Sequence, residues 1–221
     1  MLVILAAGFA PGLALLSFFY LKDYYGTEPL SVVSKAFIFG AVLVLPIMFL
    51  EYILKAENII MNHFGTAFLS AGLIEEFFKW FILFYVIYNH VEFDEPYDGI
   101  VYGAAVSLGF ATLENIFYLI GNGVDQAIGR ALLPVSSHAL FGVIMGYYFG
   151  KGKFTDKNKH KYIFLAFAVP YLLHGTYDFI LLTQEYWGYW MLPFMAFLWW
   201  YGLKKAKMAR VLSDIHASQM L

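Results

Sequence analysis

The chain contains no cysteine among its 221 residues. Disulfides, thiolate nucleophiles and cysteine metal sites are thereby excluded. Charge is scarce too: Asp, Glu, Lys and Arg make up 14% of the residues, where a soluble domain carries about 25%. The net charge is −2 and no basic, aromatic-interleaved patch is present, so no nucleic-acid partner is expected. Also missing are an HExxH pair, a nucleophile elbow and a P-loop, the common motif routes to hydrolase and nucleotide chemistry. The opening Met1-Leu-Val-Ile-Leu-Ala-Ala lacks the positive n-region of a secretory signal, and we read it as the start of a first membrane span.

What is abundant is apolar surface. Hydrophobic residues make up 61% of the chain and aromatic ones 20%, with a mean hydropathy of +0.67. The expectation is an all-α polytopic membrane protein with a single transmembrane domain over 1–221, embedded in membrane lipids. Seven runs have spanning length, at about 2–21, 34–54, 64–88, 98–120, 128–149, 161–183 and 187–203. Positive charge is gathered in the loop Lys151–Lys161, in the tail bearing Lys204, Lys205, Lys207 and Arg210, and at Lys22 and Lys35 beside the first loop. With seven spans these fall on one side, leaving Lys55 and Arg130 opposite. That side should be cytoplasmic, which places the N-terminus outside and the C-terminus inside. The acidic loop His90–Asp98 then lies inside, which the rule tolerates because acidic residues weigh little in it.

Against this background the stretch Gly72-Leu-Ile-Glu-Glu-Phe-Phe-Lys-Trp80 stands out. Each ionised side chain near a bilayer centre costs roughly 2.5–3.5 kcal/mol, and Glu75, Glu76 and Lys79 lie mid-run. Glu75 and Lys79 are i, i+4 neighbours on a helix. Whether Lys79 pairs with Glu75 or with Glu76 decides which carboxylate is free. Candidate partners are Glu114 and Asn115 in the fourth span, Ser136, Ser137 and His138 in the fifth, and His174, Tyr177 and Asp178 in the sixth. In the oriented model of spans, Glu75, Glu114, His138, His174 and Asp178 all lie roughly 8–16 Å below the outer surface of a ~30 Å core. Agreement in depth across four helices favours one site over scattered packing contacts. Ser136, Ser137, Tyr177 and Asn115 are expected to serve as helix-to-helix hydrogen bonds, and Glu51 and His63 to be interfacial. Gly99, Gly103 and Ser107, like Gly142, Gly146 and Gly150, form small-residue faces. We expect these to pack within one protomer, with homodimerisation as the second reading.

Carboxylate plus imidazole suits activation of a water. The same groups, His138 and His174 with one or both of Glu75 and Glu114, also form a feasible Zn²⁺ ligand set, and spacing across helices does not separate the two. A proton-coupled transporter would use midplane carboxylates as well, and a non-catalytic sensor that only binds a partner is a third reading.

Glu-Glu-x-x-Lys at 75–79, Phe-x-x-x-Glu at 110–114, His138 and His-x-x-x-Asp at 174–178 together resemble the PrsW family of bacterial membrane proteases. The resemblance extends to Tyr97-Asp-Gly-Ile-Val-Tyr-Gly103, Leu108-Gly-Phe-Ala-Thr-Leu-Glu-Asn115 and Met191-Leu-Pro-Phe-Met195. It implies a multi-pass protein of the bacterial cell membrane. Its implied activity is a site-1 endopeptidase that clips a single-pass, membrane-anchored anti-sigma factor on the extracytoplasmic side and so releases an envelope-stress sigma factor. It implies kinship with the CAAX endopeptidases, in which the residue matching Glu75 is the presumed water activator. Glu76 matches the second motif glutamate, and His174 with Asp178 matches the oxyanion side. Two departures are visible. Lys79 stands where the CAAX enzymes have Arg one position later, and Glu114 stands where they have His, so His138 is expected to fill that role. The expected catalytic set is Glu75, Glu76, His138, His174 and Asp178, supported by Lys79, Glu114 and Asn115, with no cofactor required and zinc as the alternative.

Overall fold

A computed structural model of the chain describes residues 1–60, 62–155, 157–183 and 186–220. Among these residues every regular element is helical. Helix α1 (Leu2–Tyr20) and α2 (Leu30–Ala56) are followed by α3 (65–87), α4 (Asp98–Asn122), α5 (Val124–Lys153), α6 (Lys159–Leu182) and α7 (Trp187–Met220). Five of them, α1, α2, α4, α5 and α6, are long and apolar enough to cross a membrane. The chain is therefore an all-helical, multi-pass membrane protein. Helix α3 carries Glu75, Glu76 and Lys79, and the first half of α7 is rich in Trp and Tyr; neither is among the five.

Local sequence accounts for the irregularities. Helix α2 starts directly after Pro29 and has a single-turn break at Leu43. Pro46 has no N–H to offer the Val42 carbonyl four residues back, which weakens the helical ladder at that point. Helix α3 is π-helical over Gly65–Glu75, α-helical over Glu76–Ile82 and π-helical again over Leu83–Ile87. Such i→i+5 segments are rare and gather at functional sites. Helix α4 stops at Gly123, whose φ of 93° is open to glycine without strain. Helix α6 runs through Pro170 without interruption. The last helix is longer than the expected span over 187–203. It carries the basic tail onward as helix to Met220, because that tail has its own contacts. Ser213 Oγ accepts the Tyr97 N–H at 3.0 Å, and Arg210 Nε donates to the Lys22 carbonyl at 3.1 Å.

Helices α4 and α5 form the centre and are buried along most of their length. Helices α1 and α2 pack on α4, α6 and α7 pack on α5, and α3 lies against α6. The central pair is close because of its small-residue faces. A Cβ at Gly146 would run into the Gly99 carbonyl, and one at Gly103 into that of Gly142. The two faces thus meet each other inside one protomer. Gly146→Val is expected to destabilise the fold by about 1–3 kcal/mol or more through overpacking. Gly121→Ala, where an added Cβ meets nothing within 4 Å, should be near neutral. Thermal unfolding of the two variants in detergent checks the pair.

Candidate active site

The π-helical half of α3 ends on Glu75, and the first α-helical turn carries Glu76 and Lys79 toward the interior. Lys79 Nζ donates to Glu75 Oε2 at 3.0 Å and to Glu76 Oε1 at 2.8 Å. Its pairing is therefore shared between the two carboxylates. The third ammonium contact is His138 Nδ1 on α5, at 3.2 Å. The Phe110 ring of α4 lies 4.2 Å below the ammonium and adds a cation–π contact.

Two histidines complete the layer. His174 Nδ1 lies 2.8 Å from Glu76 Oε1, and its Nε2 lies 3.2 Å from Asp178 Oδ2 one helical turn away. Its ring stacks on Phe141, with centroids 5.1 Å apart and 21° between planes. His138 is held by the hydrogen bond from Ser107 Oγ to its carbonyl, at 2.7 Å, and its Nε2 lies 3.5 Å from Glu114 Oε2. The two Nε2 atoms are each 4.0 Å from Glu75 Oε2. Exposure separates the two glutamates: the Glu76 side chain is 0% exposed and the Glu75 side chain 10%. Glu75 borders the cavity, while Glu76 lies behind it as a buried counterion.

That cavity, of about 290 Å³, is lined by Glu75, Glu114, Arg130, His138, His174 and Asp178, among others. A second cavity of about 450 Å³ adjoins it through shared wall residues Glu51, Thr66 and Ala71. Five of the eight expected residues line the first cavity; Glu76 and Lys79 lie behind Glu75, and Asn115 joins through Arg130. Asn115 takes up the helix-to-helix role: its Nδ2 donates to the Gly8 carbonyl of α1 at 3.3 Å, and its Oδ1 accepts from Arg130 Nε at 2.8 Å. Ser136 turns back on its own helix, and Ser137 does so while also facing Tyr177 of α6. Their hydroxyls donate to Leu132 and Leu133 and to Pro134, carbonyls of their own helix. Serine hydroxyls within a helix commonly donate back to the carbonyl three or four residues earlier. Tyr177 OH is buried without a hydrogen-bond partner and faces the cavity.

Two site residues escape a reading by spans. Arg130 sits 3.4 Å from Glu114 Oε1 and over the Tyr118 ring at 4.0 Å. Glu51, expected at an interface, lines both cavities, and its buried Oε1 has no hydrogen-bond partner. Each had a signal in the sequence, as one of only two arginines in the chain and as the single carboxylate inside the second apolar run.

The sequence profile described as "PrsW family intramembrane metalloprotease" matches residues 28–201. The chain belongs to the PrsW family. It is 61% identical to the protease PrsW of Bacillus subtilis over 211 residues, covering 95% of this chain and 97% of that one. It is 60% identical to that of Geobacillus kaustophilus over 210 residues, covering 95% and 93%. The Clostridioides difficile protein is more distant, at 38% over 194 residues, covering 83% of this chain and 82% of its own. No solved structure matches. As a member of the PrsW family the chain is a membrane-embedded peptide hydrolase of the bacterial cell membrane, and a transport function is set aside.

The family description names a metal, and the donor set fits one in kind and spacing. Glu75, Glu76, His138 and His174 each offer a ligand atom, all within 4.8 Å of one another. Two imidazoles and two carboxylates are a feasible zinc set. The Lys79 ammonium, however, is hydrogen-bonded to three of these four residues. It fills the centre of the set with a positive charge of the chain's own.

Proposed function

We propose that this chain is a site-1 intramembrane endopeptidase. Its substrate is a single-pass membrane anti-sigma factor, cut on the extracytoplasmic side. The PrsW family supports the reaction class, and the bias of Lys and Arg supports the side. Seven spans with the N-terminus outside would put the carboxylate–imidazole layer in the outer half of the bilayer.

The observation that carries the mechanism is the position of Glu75 Oε2, 4.0 Å from both His138 Nε2 and His174 Nε2. That separation is too long for a direct hydrogen bond and suits a water lying about 2.8 Å from each atom. Glu75 takes the proton of this water as it attacks the scissile carbonyl. The neighbours set the polarity. An ammonium can only donate, so His138 Nδ1 must accept from Lys79, and the ring carries its proton on Nε2. His138 therefore helps as a donor. His174 faces a carboxylate from each ring nitrogen, Glu76 from Nδ1 and Asp178 from Nε2. Its Nε2–H, oriented by Asp178, can swing toward the developing oxyanion. Glu76 fixes the other side of that ring, and Arg130 holds Glu114 against His138. Lys79 and Arg130 balance part of the charge of Glu75, Glu76, Glu114 and Asp178.

Zinc is the second reading, favoured by the family description and by the donor set. Bound at Glu75, His138 and His174, it would supply a Lewis acid and a water of lowered pKa. That arrangement needs an unprotonated Nε2 on both rings, and so Lys79 turned away from His138. Metal analysis of active protein decides between the two. We expect well under one zinc per chain, whereas stoichiometric zinc would reassign the three residues as ligands. The cleavage itself is tested by co-reconstitution with a single-pass anti-sigma substrate and mass mapping of the fragments. The expected cut lies on the extracytoplasmic side, and a cut on the other side would overturn the orientation.

A further inference from the structure

The opposite end of the helix bundle holds a second group of buried acids that the protease chemistry does not use. Asp23 lies in the α1–α2 turn, Glu95 in the α3–α4 turn, and Asp98 at the first residue of α4. Their exposures are 7%, 7% and 0%. One ligand oxygen from each lies within 4.8 Å of the others. Glu28 is buried beside them and accepts from Tyr102 OH.

An acidic cluster alone is an ordinary thing, but here the oxygens are orphaned. Asp98 Oδ2 is used, accepting the N–H groups of Asp94 at 2.8 Å and Glu95 at 2.7 Å. Both Asp23 oxygens, Glu95 Oε1 and Asp98 Oδ1 are buried with no hydrogen-bond partner. Among the described residues, none of the ion pairs involves these carboxylates. The basic groups nearby are engaged elsewhere. Lys153 Nζ donates to the His90 carbonyl at 3.3 Å and lies over the Phe93 ring, and Arg210 donates to the Lys22 carbonyl. Buried carboxylates with neither donor nor counterion are strongly disfavoured unless something positive joins them.

We propose that Asp23, Glu95 and Asp98 form a binding site for a hard divalent cation, Ca²⁺ or Mg²⁺. Oxygen-only donors suit such ions and not zinc. Ca²⁺ takes oxygens at about 2.3–2.6 Å, so ligands around it stand no more than roughly 4.6–5.2 Å apart, and these three oxygens lie within 4.8 Å of one another. Water and backbone carbonyls supply the remaining ligands. A groove of about 460 Å³ bordered by Tyr25, Gly26, Asp94 and Glu95 gives an entry path. The cation ties the α1–α2 and α3–α4 turns to the start of α4. Helix α4 then carries Glu114 about 24 Å away, at ~1.5 Å per residue.

The test is thermal unfolding and calorimetric titration of the full chain in detergent, in chelator-treated buffer at pH 7.5, with CaCl₂ and MgCl₂ added separately. The wild type should bind one ion and unfold at a higher temperature as the site fills. Asp23→Asn should weaken binding about tenfold or more, since affinity follows ligand charge. Glu95→Gln serves if the first variant does not fold. Response to Ca²⁺ at much lower concentration than to Mg²⁺ would name the ion, and a matched response would leave Mg²⁺ as the working occupant. No response in the wild type, or an equal response in wild type and both variants, overturns the site. Stabilisation on acidifying from pH 8 to 6 without any cation response also overturns it, and assigns the orphaned oxygens to a shared proton.

Discussion

Glu75→Gln is expected to leave a folded, membrane-inserted protein whose cleavage rate is about 10²–10⁴-fold lower, the usual worth of a positioned general base. The amide is nearly isosteric, and its oxygen still accepts from Lys79 Nζ, which sits 3.0 Å from the carboxylate it replaces. Glu76 continues to hold the ammonium at 2.8 Å and His174 at 2.8 Å. What disappears is the one carboxylate oxygen placed 4.0 Å from both Nε2 atoms. His174→Ala should lose about 10²–10³-fold, the usual effect of removing one oxyanion donor. It serves as a companion, because it removes a donor and keeps the base. Cleavage of a reconstituted substrate, with thermal unfolding as the control for folding, reads both. Glu75→Gln cutting at the wild-type rate would sink the water-activation mechanism. Zinc content adds the sharper reading, since only in the metal form does the substitution also lower bound zinc.

Much of this site is legible in the chain because desolvation makes intramembrane charge rare. Glu75, Glu76, Lys79, Glu114, His138, His174 and Asp178 announce themselves against 61% hydrophobic residues. The common depth expected for five of them comes from counting residues along spans read at a fixed rise. What counting does not supply is azimuth. Arg130 reads as a charge at the outer end of a span, and only packing turns it onto Glu114 at 3.4 Å. Glu51 reads as interfacial until the break at Leu43 and the contact of α2 with α4 bring it to the cavity wall. The π-helical turns of α3 leave no periodic signature, since an apolar run is apolar at any pitch. The acidic loop His90–Asp98 weighs little in a charge-bias reading. Its pairing with Asp23, 75 residues away from Asp98 in sequence, exists only once α1 and α4 are packed together.

The second large effect belongs to Lys79. Its side chain is 1% exposed, and it is the cation shared by Glu75 and Glu76. Lys79→Met keeps the length and apolar stem of the side chain but leaves two carboxylates facing each other in the membrane interior. Removing one partner of a buried ion pair destabilises by about 3–5 kcal/mol, and Glu76, with no exposure, cannot turn to water. His174 still contacts Glu76, so the expected outcome is a markedly less stable protein that retains some fold, read by thermal unfolding in detergent. Activity should fall with it, because Glu75 loses the contact that orients it and His138 loses the donor that sets its tautomer. The same variant separates the two chemistries. If the ammonium is the working cation of the site, added zinc does not restore cleavage to Lys79→Met. If zinc is the working cation, removing Lys79 clears the centre of the donor set, and the variant should bind zinc at least as well as the wild type and cleave in its presence. Zinc-dependent cleavage by Lys79→Met at the wild-type rate would therefore overturn the metal-free mechanism and leave Glu75, His138 and His174 as ligands.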